Sequence, residues 1–365
     1  MAGSTLGTIF KITTWGESHG TGIGVVIDGC PAGLALDTAD IQAYLDRRKP
    51  GQSRYTTQRN EEDAVEILSG VFEGKTTGTP ISMVVYNKDQ RSRDYGDIAS
   101  YYRPGHADFT FDAKYGFRDY RGGGRSSGRE TIGRVAAGAV AAKLLHSLGI
   151  SFLTYAKSVG PVEFSSFDPD EIPKNPLYMP DAAAAQKAQA HLEDCMKNHN
   201  SAGGVIECRI NGIPAGIGDP VFEKLDANLA KAILSVGAVK GFEIGDGFLA
   251  AQTDGNTNND SFYMTKQASV GKQTNHSGGT LGGISDGDTI LLRAAVKPTP
   301  SISSPQKTVN KAGENIDISI CGRHDPVIVP RAVVVVEAMA ALTVCDAMLL
   351  NMTARIDSVM DFYNK

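Results

Sequence analysis

The sequence predicts an α+β protein with long active-site loops. Short runs with strand-like alternation are interspersed with longer runs of helical periodicity. The motif IDGCPAGL at residues 27–34 returns as INGIPAGI at residues 210–217, each time after a predicted strand and before a predicted helix. Residues 88–128 have little periodicity and many Arg, Asp, Tyr and Gly residues, which is typical of a long functional loop. Its aromatic content favours order over disorder.

The repeated motif favours an internal duplication in which two halves share one core. Chance similarity of a short turn motif is the alternative. Because the two copies lie 183 residues apart, half of the chain, we predict one interlocked domain over residues 1–365 rather than two domains on a linker.

The elements follow from local patterns. Strands are predicted at residues 9–16, 24–28, 65–72, 80–87, 151–160, 204–211, 239–244, 289–297 and 316–321. Helices are predicted at residues 38–48, 130–148, 181–198, 223–235 and 331–352. Thr38 is the predicted N-cap of the first helix, and Pro50-Gly51 follows its end. The last helix is strongly apolar and should lie in the core. Residues 50–60 read as an ordered loop and residues 165–180 as a surface excursion.

Charge is distributed unevenly along the chain. The formal net charge is −5, which argues against a general nucleic-acid-binding protein. Yet 12 of the 17 arginines fall between Arg47 and Arg134. A basic segment in an acidic protein favours a small, multiply charged anionic substrate.

Several kinds of site are disfavoured by missing motifs. The sequence has neither GxGxxG nor GxxxxGK[ST], no HExxH or Cys/His cluster for a metal, and no GxSxG of a hydrolase. We recognise no signal peptide and no apolar run of membrane-spanning length. The odd number and scattered positions of the cysteines predict free thiols in a cytoplasmic protein. They are Cys30, Cys195, Cys208, Cys321 and Cys345.

The run RGGGRSSGR at residues 121–129 directly precedes a predicted helix. Adjacent glycines let a backbone approach a ligand closely, and Ser126 or Ser127 can cap the helix. Amides at a helix start, with three arginines nearby, indicate a site for an anion such as phosphate. A flexible surface loop is the alternative. An RGG-type nucleic-acid segment is disfavoured, because there is one such run and no aromatic interleaving.

Three histidines lie in polar loops marked by Gly or Pro: His19, His106 and His324. Histidine titrates near neutral pH, so these positions suit acid/base chemistry, although each taken singly has a structural alternative. A second glycine-rich segment, residues 276–283, precedes a strand that ends in KPTPS at residues 297–301. It either lines a flat ring by backbone contacts or forms an ordinary hairpin turn.

Four motifs resemble those of the chorismate synthase family in order and spacing. They are GESHGTGIGVVIDGCP at residues 16–31, RPGHAD at 103–108, GRSSGRET at 124–131 and GRHDP at 322–326. The resemblance extends over essentially the whole chain. It implies a β-α-β sandwich, a homotetramer, and a lyase of the shikimate pathway to aromatic amino acids. The implied reaction is the anti-1,4-elimination of phosphate from 5-enolpyruvylshikimate 3-phosphate, giving chorismate.

The resemblance also implies a cofactor, reduced flavin mononucleotide (FMN), which lends an electron to the allylic system and recovers it. FAD and NADP belong to the wider set of cofactors that it suggests, with NADPH serving only as a source of reducing equivalents. A separate flavin reductase is a possible partner, whereas nucleic acids and membranes are not expected, and no metal is.

Residue roles carry over position by position. By resemblance, His19 assists the departing phosphate, His106 lies against the flavin pyrimidine edge, and Asp325 takes the proton from flavin N5 as the substrate C6 hydrogen is removed. The residues that match the family's substrate-binding positions are Arg48, Arg54, Arg103 and Arg129. Arg323 matches both a substrate-binding and a flavin-binding position. The residues that match the family's flavin-binding positions are Arg125, Ser126, Ser127, Gly237, Ala238, Gly282, Lys297, Pro298, Thr299, Pro300, Ser301 and Arg323.

The chain departs from the family pattern at two positions. Gly237 stands where the family often has Asn, so a side-chain hydrogen bond to the flavin is lost or replaced there. Gly128 stands where Ala is common, a small change. The alternatives to the lyase are a flavin- or NADPH-dependent oxidoreductase and a non-catalytic anion-binding or RNA-binding protein, the latter disfavoured by the acidic balance.

Overall fold

The computed structural model describes residues 3–56, 61–88, 97–266, 268–320 and 325–364. The strands are β1 (Thr5–Leu6), β2 (Lys11–Gly16), β3 (Gly22–Asp28), β4 (Val65–Ile67), β5 (Val71–Phe72), β6 (Lys75–Thr76), β7 (Ile81–Tyr86), β8 (Ser151–Val159), β9 (Val162–Glu163), β10 (Gly204–Asn211), β11 (Val239–Ile244), β12 (Phe262–Met264), β13 (Val270–Lys272), β14 (Thr280–Leu281), β15 (Ile284–Ser285), β16 (Ile290–Val296), β17 (Gln306–Val309) and β18 (Asn315–Ile318). The helices are α1 (Thr38–Arg48), α2 (Asp108–Tyr115), α3 (Thr131–Ser147), α4 (Ala182–Lys197), α5 (Leu225–Leu234), α6 (Gly255–Asn258), α7 (Val329–Asn351) and α8 (Ile356–Tyr363).

Two five-stranded antiparallel sheets organise the chain. The first has the strand order β1-β2-β3-β7-β4 and the second β11-β16-β10-β8-β9. The strands in the middle of the two sheets, β3 and β10, each run into a copy of the repeated motif. Helices α1 and α5 then follow. The motif therefore occupies the same place in both sheets.

The core lies along two helices that pack against each other. Helix α3 contacts β2, β3 and β7 of the first sheet and, more sparsely, β8 of the second, whereas helix α7 contacts β8 and β10 of the second sheet. They approach closely at Gly138, where an added Cβ would lie 2.3 Å from the Cβ of Ala338. A larger residue at position 138 would push the helices, and with them the sheets, apart.

Helix α7 is long and apolar enough to cross a membrane by length and composition, so the expectation that no run reaches that length was wrong. However, 72% of its most apolar window is buried inside the protein. The helix supports the shared core, and the prediction of a core helix is confirmed.

The N-cap of α1 differs from the prediction. Asp37, not Thr38, accepts the hydrogen bond of the Asp40 amide, and the Asp40 carboxylate accepts that of Asp37 in return. This reciprocal capping satisfies two amides at once, which a cap at Thr38 with Ile41 three residues on would not.

Residues 65–72 do not form one strand. Val65–Ile67 pairs with β7, whereas Val71–Phe72 forms a separate hairpin with Lys75–Thr76. Gly70, with φ of +81°, turns the chain between them, and an added Cβ there would lie 2.7 Å from Ile81. The predicted strand pair is therefore correct only for its first part.

Two of the three predicted loop regions, residues 88–128 and 165–180, contain more structure than expected. Helix α2 lies within residues 88–128, of which 89–96 fall outside the described part. The excursion at 165–180 is anchored by Ile172, Leu177 and Met179, which are buried. Neither helix α8 nor the β12–β13 hairpin was predicted from the sequence. Cys30, Cys195, Cys208 and Cys345 are free, as predicted, and Cys321 lies outside the described residues.

Candidate active site

Segments from both halves of the chain converge on one cleft of about 520 Å³. It lies where the start of α3, the 105–107 loop, the link from α5 to β11, the segment after β16 and the start of α7 meet. The predicted site residues that line it are Arg48, His106, Arg125, Ser126, Ser127, Gly237, Ala238, Lys297, Thr299, Pro300 and Asp325.

The glycine- and serine-rich run forms two 3₁₀ turns ahead of α3, Gly124–Ser126 and Gly128–Glu130. Ser127 caps the second turn through a 3.3 Å bond from the Arg129 amide to its Oγ. The prediction that Ser126 or Ser127 caps α3 itself was wrong, because this turn separates the serines from the helix, whose N-cap is Glu130 without a side-chain capping bond. The Arg125 guanidinium donates to the Gly16 carbonyl at 3.0 Å and to Thr14 Oγ1 at 2.6 Å. Arg125 thus ties the loop to the end of β2.

His106 is held by the segment that follows β16. Its Nε2 lies 2.9 Å from Ser301 Oγ, and the Lys297 ammonium donates to the Gly105 carbonyl at 2.7 Å. An added Cβ at Gly105, whose φ is +71°, would lie 2.7 Å from Pro300. Glycine is therefore required for the histidine loop to pack against this segment.

Two of the predicted substrate arginines are buried in an ion-pair network. Arg48, 1% exposed, pairs with Asp63, and Arg129 lies 3.2 Å from the same carboxylate. Burial lowers the pKa of the Arg48 guanidinium to about 10. Burial alone would raise the pKa of Asp63, but the two arginines lower it. Both members of the pair therefore stay charged near neutral pH.

The other two predicted substrate arginines lie elsewhere in the described structure. Arg103 forms two 2.8 Å hydrogen bonds with Asp108, five residues on at the start of α2. Its guanidinium holds the pKa of that carboxyl below its usual value, against the effect of burial. Arg54 is exposed and pairs with Glu193 on α4. Of the four arginines, only Arg48 is part of the cleft lining among the described residues; Arg129, Arg103 and Arg54 are not.

Asp325 lines the cleft at the entry to α7. Its carboxylate accepts a 2.8 Å hydrogen bond from Arg331, which also donates to the Arg48 carbonyl at 3.1 Å. The predicted site residue Arg323, and His324 beside it, lie outside the described residues.

His19 lies on the loop between β2 and β3 and is 6% exposed; it is not among the described residues that line the cleft. Ser18 Oγ lies 3.1 Å from His19 Nδ1 and donates to the Gly122 carbonyl at 3.1 Å. An added Cβ at Gly122, whose φ is +63°, would lie 2.1 Å from that ring nitrogen. The glycine run of the cleft therefore packs directly on the histidine.

The remaining predicted flavin residues divide into two groups. Gly237 and Ala238 line the cleft, and Ala238 has a left-handed φ of +71° that a residue with a Cβ rarely adopts. Gly282 lies in the turn between β14 and β15. Within the described part of the chain, the cleft lining does not include Gly282, Pro298 or Ser301, although Ser301 contacts it through His106.

Sequence reasoning missed two cationic residues of the cleft. Arg134 pairs with Glu130 and donates to Ser235 Oγ at 2.6 Å, and Arg331 holds Asp325. A usable signal existed for Arg331: it lies in the first turn of α7, where the helix dipole disfavours a cation. A basic residue at such a position is unfavourable for the helix itself, so it indicates a contact outside the helix.

The cleft has the size and the open space of a small-molecule site. Its volume lies within the roughly 300–1,000 Å³ range of small-molecule sites. Thr299 Oγ1 is buried and has no hydrogen-bond partner among the described residues. Nothing lies within 4 Å of an added Cβ at Gly128 or Gly237. The described residues contain no cluster suited to a metal ion. The departure at Gly237 thus leaves open space rather than a substitute contact.

Comparisons with known proteins agree with this picture. A family model described as chorismate synthase matches residues 10–349. The chain is 70% identical to the chorismate synthase of Agathobacter rectalis, over 100% of both chains, and 52% identical to that of Chloroflexus aurantiacus, over 98% of both. A crystal structure of a chorismate synthase matches with a TM-score of 0.77 and 29% identity, over 98% of this chain and 97% of that one. The chain therefore belongs to the chorismate synthase family of lyases.

Proposed function

We propose that the cleft is where this chain carries out its family's reaction, the elimination of phosphate from 5-enolpyruvylshikimate 3-phosphate to give chorismate. The observation that carries the proposal is the convergence of residues from six distant segments, including the end of α1, on one cleft. In the reaction the substrate loses a proton from C6 and its phosphate from C3, and a new double bond forms in the ring.

Membership of the family implies a requirement for reduced flavin, and we propose FMN as its form. The described residues fit it: Arg125 and Lys297 offer cations, the Thr299 hydroxyl lacks a partner among them, and Gly237 leaves room for a ring. When bound, reduced flavin supplies an electron to the allylic system and recovers it, so that no net oxidation occurs. Ser126, Ser127, Ala238 and the 297–301 segment would hold it, with Gly282 and Arg323 as further proposed contacts. FAD has no support from the relatives or the family match, and we do not propose it.

The substrate anions are assigned to four arginines. Arg48 and Arg129 are oriented beside the start of α3, with their charges fixed by Asp63. Arg103 and Arg54 are engaged with Asp108 and Glu193, so they would have to exchange a carboxylate partner for a substrate anion.

Three groups are proposed to hold or move protons. The Ser18 hydroxyl donates to the Gly122 carbonyl, so it accepts from Nδ1–H of His19, and Nε2 becomes the atom that delivers a proton to the departing phosphate. His106, held by Ser301, would face the flavin pyrimidine edge. Asp325, oriented by Arg331, would receive the proton that originates at substrate C6.

The rest of the proposal concerns assembly and location. We propose one domain over residues 1–365, arranged as a duplicated β-α-β sandwich, in a cytoplasmic homotetramer with no nucleic-acid or membrane partner. NADPH, or a separate flavin reductase, would act only as the source of reduced flavin.

An anaerobic assay of phosphate release tests the function against its alternatives. With substoichiometric, photoreduced FMN and no NADPH, we expect many phosphates released per flavin, and none with oxidised FMN. One flavin oxidised per product would identify an oxidoreductase. Binding of the substrate without phosphate release would identify an anion-binding protein. Either result would overturn the proposal.

A further inference from the structure

We propose that Asn87 is a positioning residue that holds the His19 loop and the Arg129 guanidinium in one fixed arrangement. The inference rests on the roles proposed above for His19 and Arg129. Asn87 follows directly after β7 in the first sheet and is half-buried. It was not among the residues indicated by the sequence.

One face of the Asn87 amide closes the histidine loop. Its Nδ2 donates to the Glu17 carbonyl at 3.0 Å and to the Gly20 carbonyl at 2.8 Å. Its backbone amide donates to the Thr21 carbonyl at 3.0 Å. These three bonds bracket His19 on both sides in sequence. The loop is thereby fixed relative to the end of β7.

The other face of the amide holds the arginine. Asn87 Oδ1 accepts from Arg129 Nε at 3.0 Å and from Nη2 at 2.8 Å. Arg129 Nη1, the remaining nitrogen, points to the carboxylates of Asp63 at 3.2 Å and Glu61 at 3.6 Å. Arg129 itself is 5% exposed. Its orientation therefore depends on Asn87 on one edge and on two carboxylates on the other.

Only an amide satisfies both faces. An asparagine side chain has two N–H donors and one carbonyl oxygen, and all are used here. A carboxylate at position 87 would keep the bonds from Arg129 but place an oxygen against the Glu17 and Gly20 carbonyls. The change Asn87→Asp therefore releases the histidine loop and leaves the arginine held. The variant therefore separates the contact with the histidine loop from the contact with Arg129.

The chain offers a matched control. Asn175 has the same bonding pattern, with Nδ2 donating at 2.8 Å to the Glu171 and Met179 carbonyls and Oδ1 accepting from the Leu177 and Met179 amides. It lies in the excursion between β9 and α4, outside the cleft lining as described. Asn175→Asp should lower the melting temperature about as much as Asn87→Asp but leave kcat unchanged.

The experiment measures kcat and KM across pH for Asn87→Asp in two backgrounds, the wild type and His19→Ala. In the wild-type background, we expect kcat to fall roughly 10²-fold, the cost of a misplaced catalytic group, with KM changed less than about threefold and the acid limb of the kcat profile displaced. In the His19→Ala background, the further fall should be under about twofold, because the residue acts through His19. Asn87→Gln, which keeps the amide, should recover part of kcat.

The possible failures are distinguishable. If His19→Ala alone has wild-type kcat, the proposed function of His19 is wrong. If His19→Ala is slow but Asn87→Asp is not, or if Asn87→Asp causes the same fall in both backgrounds, the positioning role is wrong. Should Asn87→Asp not fold, Asn87→Ala is measured in the same two backgrounds. It removes the Nδ2 bonds that close the histidine loop, so kcat should fall when His19 is present and fall little further in His19→Ala, whereas an equal fall of kcat in both backgrounds would overturn the role.

Discussion

The two sides of the cleft are built from opposite kinds of residue. The arginine side, residues 48, 125–128, 130, 131 and 134, carries guanidinium groups that are already paired, Arg48 with Asp63 and Arg134 with Glu130. The lysine side, residues 235–238, 297, 299 and 300, has a single cation, Lys297. It also contains Thr299, whose buried hydroxyl has no hydrogen-bond partner among the described residues. On the arginine side, ion pairs hold the positive charges in place before a ligand binds. The lysine side has open space and a hydroxyl that has no partner among the described residues.

This difference indicates that the two sides of the cleft contribute to ligand binding in different ways. A buried guanidinium costs free energy to desolvate, and Asp63 offsets that cost while keeping the positive charge in place. Such charges are oriented before a substrate anion arrives and need not reorganise. The lysine side has no such network among its described residues, which agrees with its proposed role of holding the flavin. If the division is correct, substitutions on the two sides should affect different measurements.

The largest effect is expected at the three proposed proton-transfer groups. His19→Ala, His106→Ala and Asp325→Asn should each lower kcat by roughly 10²–10⁴-fold, the usual contribution of a positioned acid or base. The melting temperature should change little, because all three lie in loops outside the apolar core. His146→Ala, on the exposed end of α3, is the control and should leave kcat unchanged. Wild-type turnover in two of the three variants would mean that the assigned roles are wrong.

A second test removes the carboxylate that supports the arginine side. Asp63→Asn leaves Arg48 buried without a counter-charge, which should cost about 3–5 kcal/mol of unfolding free energy at pH 7. Asn tolerates the left-handed φ of +48° at this position, so the backbone is not newly strained. Urea unfolding measures the loss. Asp46→Asn, which breaks the exposed pair with Lys49, should cost less than about 1 kcal/mol.

The pH dependence of the same pair has a definite sign. The folded-state pKa of Asp63 is depressed, so its stabilising effect is complete above the unfolded value of about 3.9 and is lost as pH falls through the folded value. The difference in unfolding free energy between wild type and Asp63→Asn should therefore be constant at neutral pH and shrink below about pH 4. A difference that grew on acidification would contradict the ion pair.

The arginine side was the easier of the two to predict from sequence. Its glycines, serines and arginines are contiguous, and a capping serine before a periodic segment is a local signal. The partners of those arginines were not predictable, because each pair is set by folding. Arg54 pairs with Glu193, 139 residues away, and Arg103 pairs with Asp108 in the first turn of α2, a helix that was not predicted.

The fold shows the same limit. The long periodic elements, such as α4 and β8, agree with prediction within a residue or two. Errors occurred where two local signals competed, as between Asp37 and Thr38, or where a glycine turned the chain, as at Gly70. Arg331 was not predicted because the resemblance gives it no role, and one basic residue in the first turn of a helix is a weak signal by itself.

The smallest effect, and the sharpest separation of the two sides, is expected from Thr299→Val. Valine keeps the shape of threonine and removes a hydroxyl that has no partner among the described residues, so the melting temperature should stay the same or rise slightly. If that hydroxyl bonds the flavin, its loss should cost about 1 kcal/mol, or roughly a fivefold rise in the Kd for FMN, measured by fluorescence titration. The KM for the substrate at saturating reduced flavin should not change. Arg129→Ala should do the reverse, raising the substrate KM strongly and leaving the FMN Kd near the wild-type value, since its guanidinium lies with Asn87 and Asp63 rather than on the lysine side. Equal changes of both constants in either variant would show that the two sides of the cleft do not divide the ligands between them.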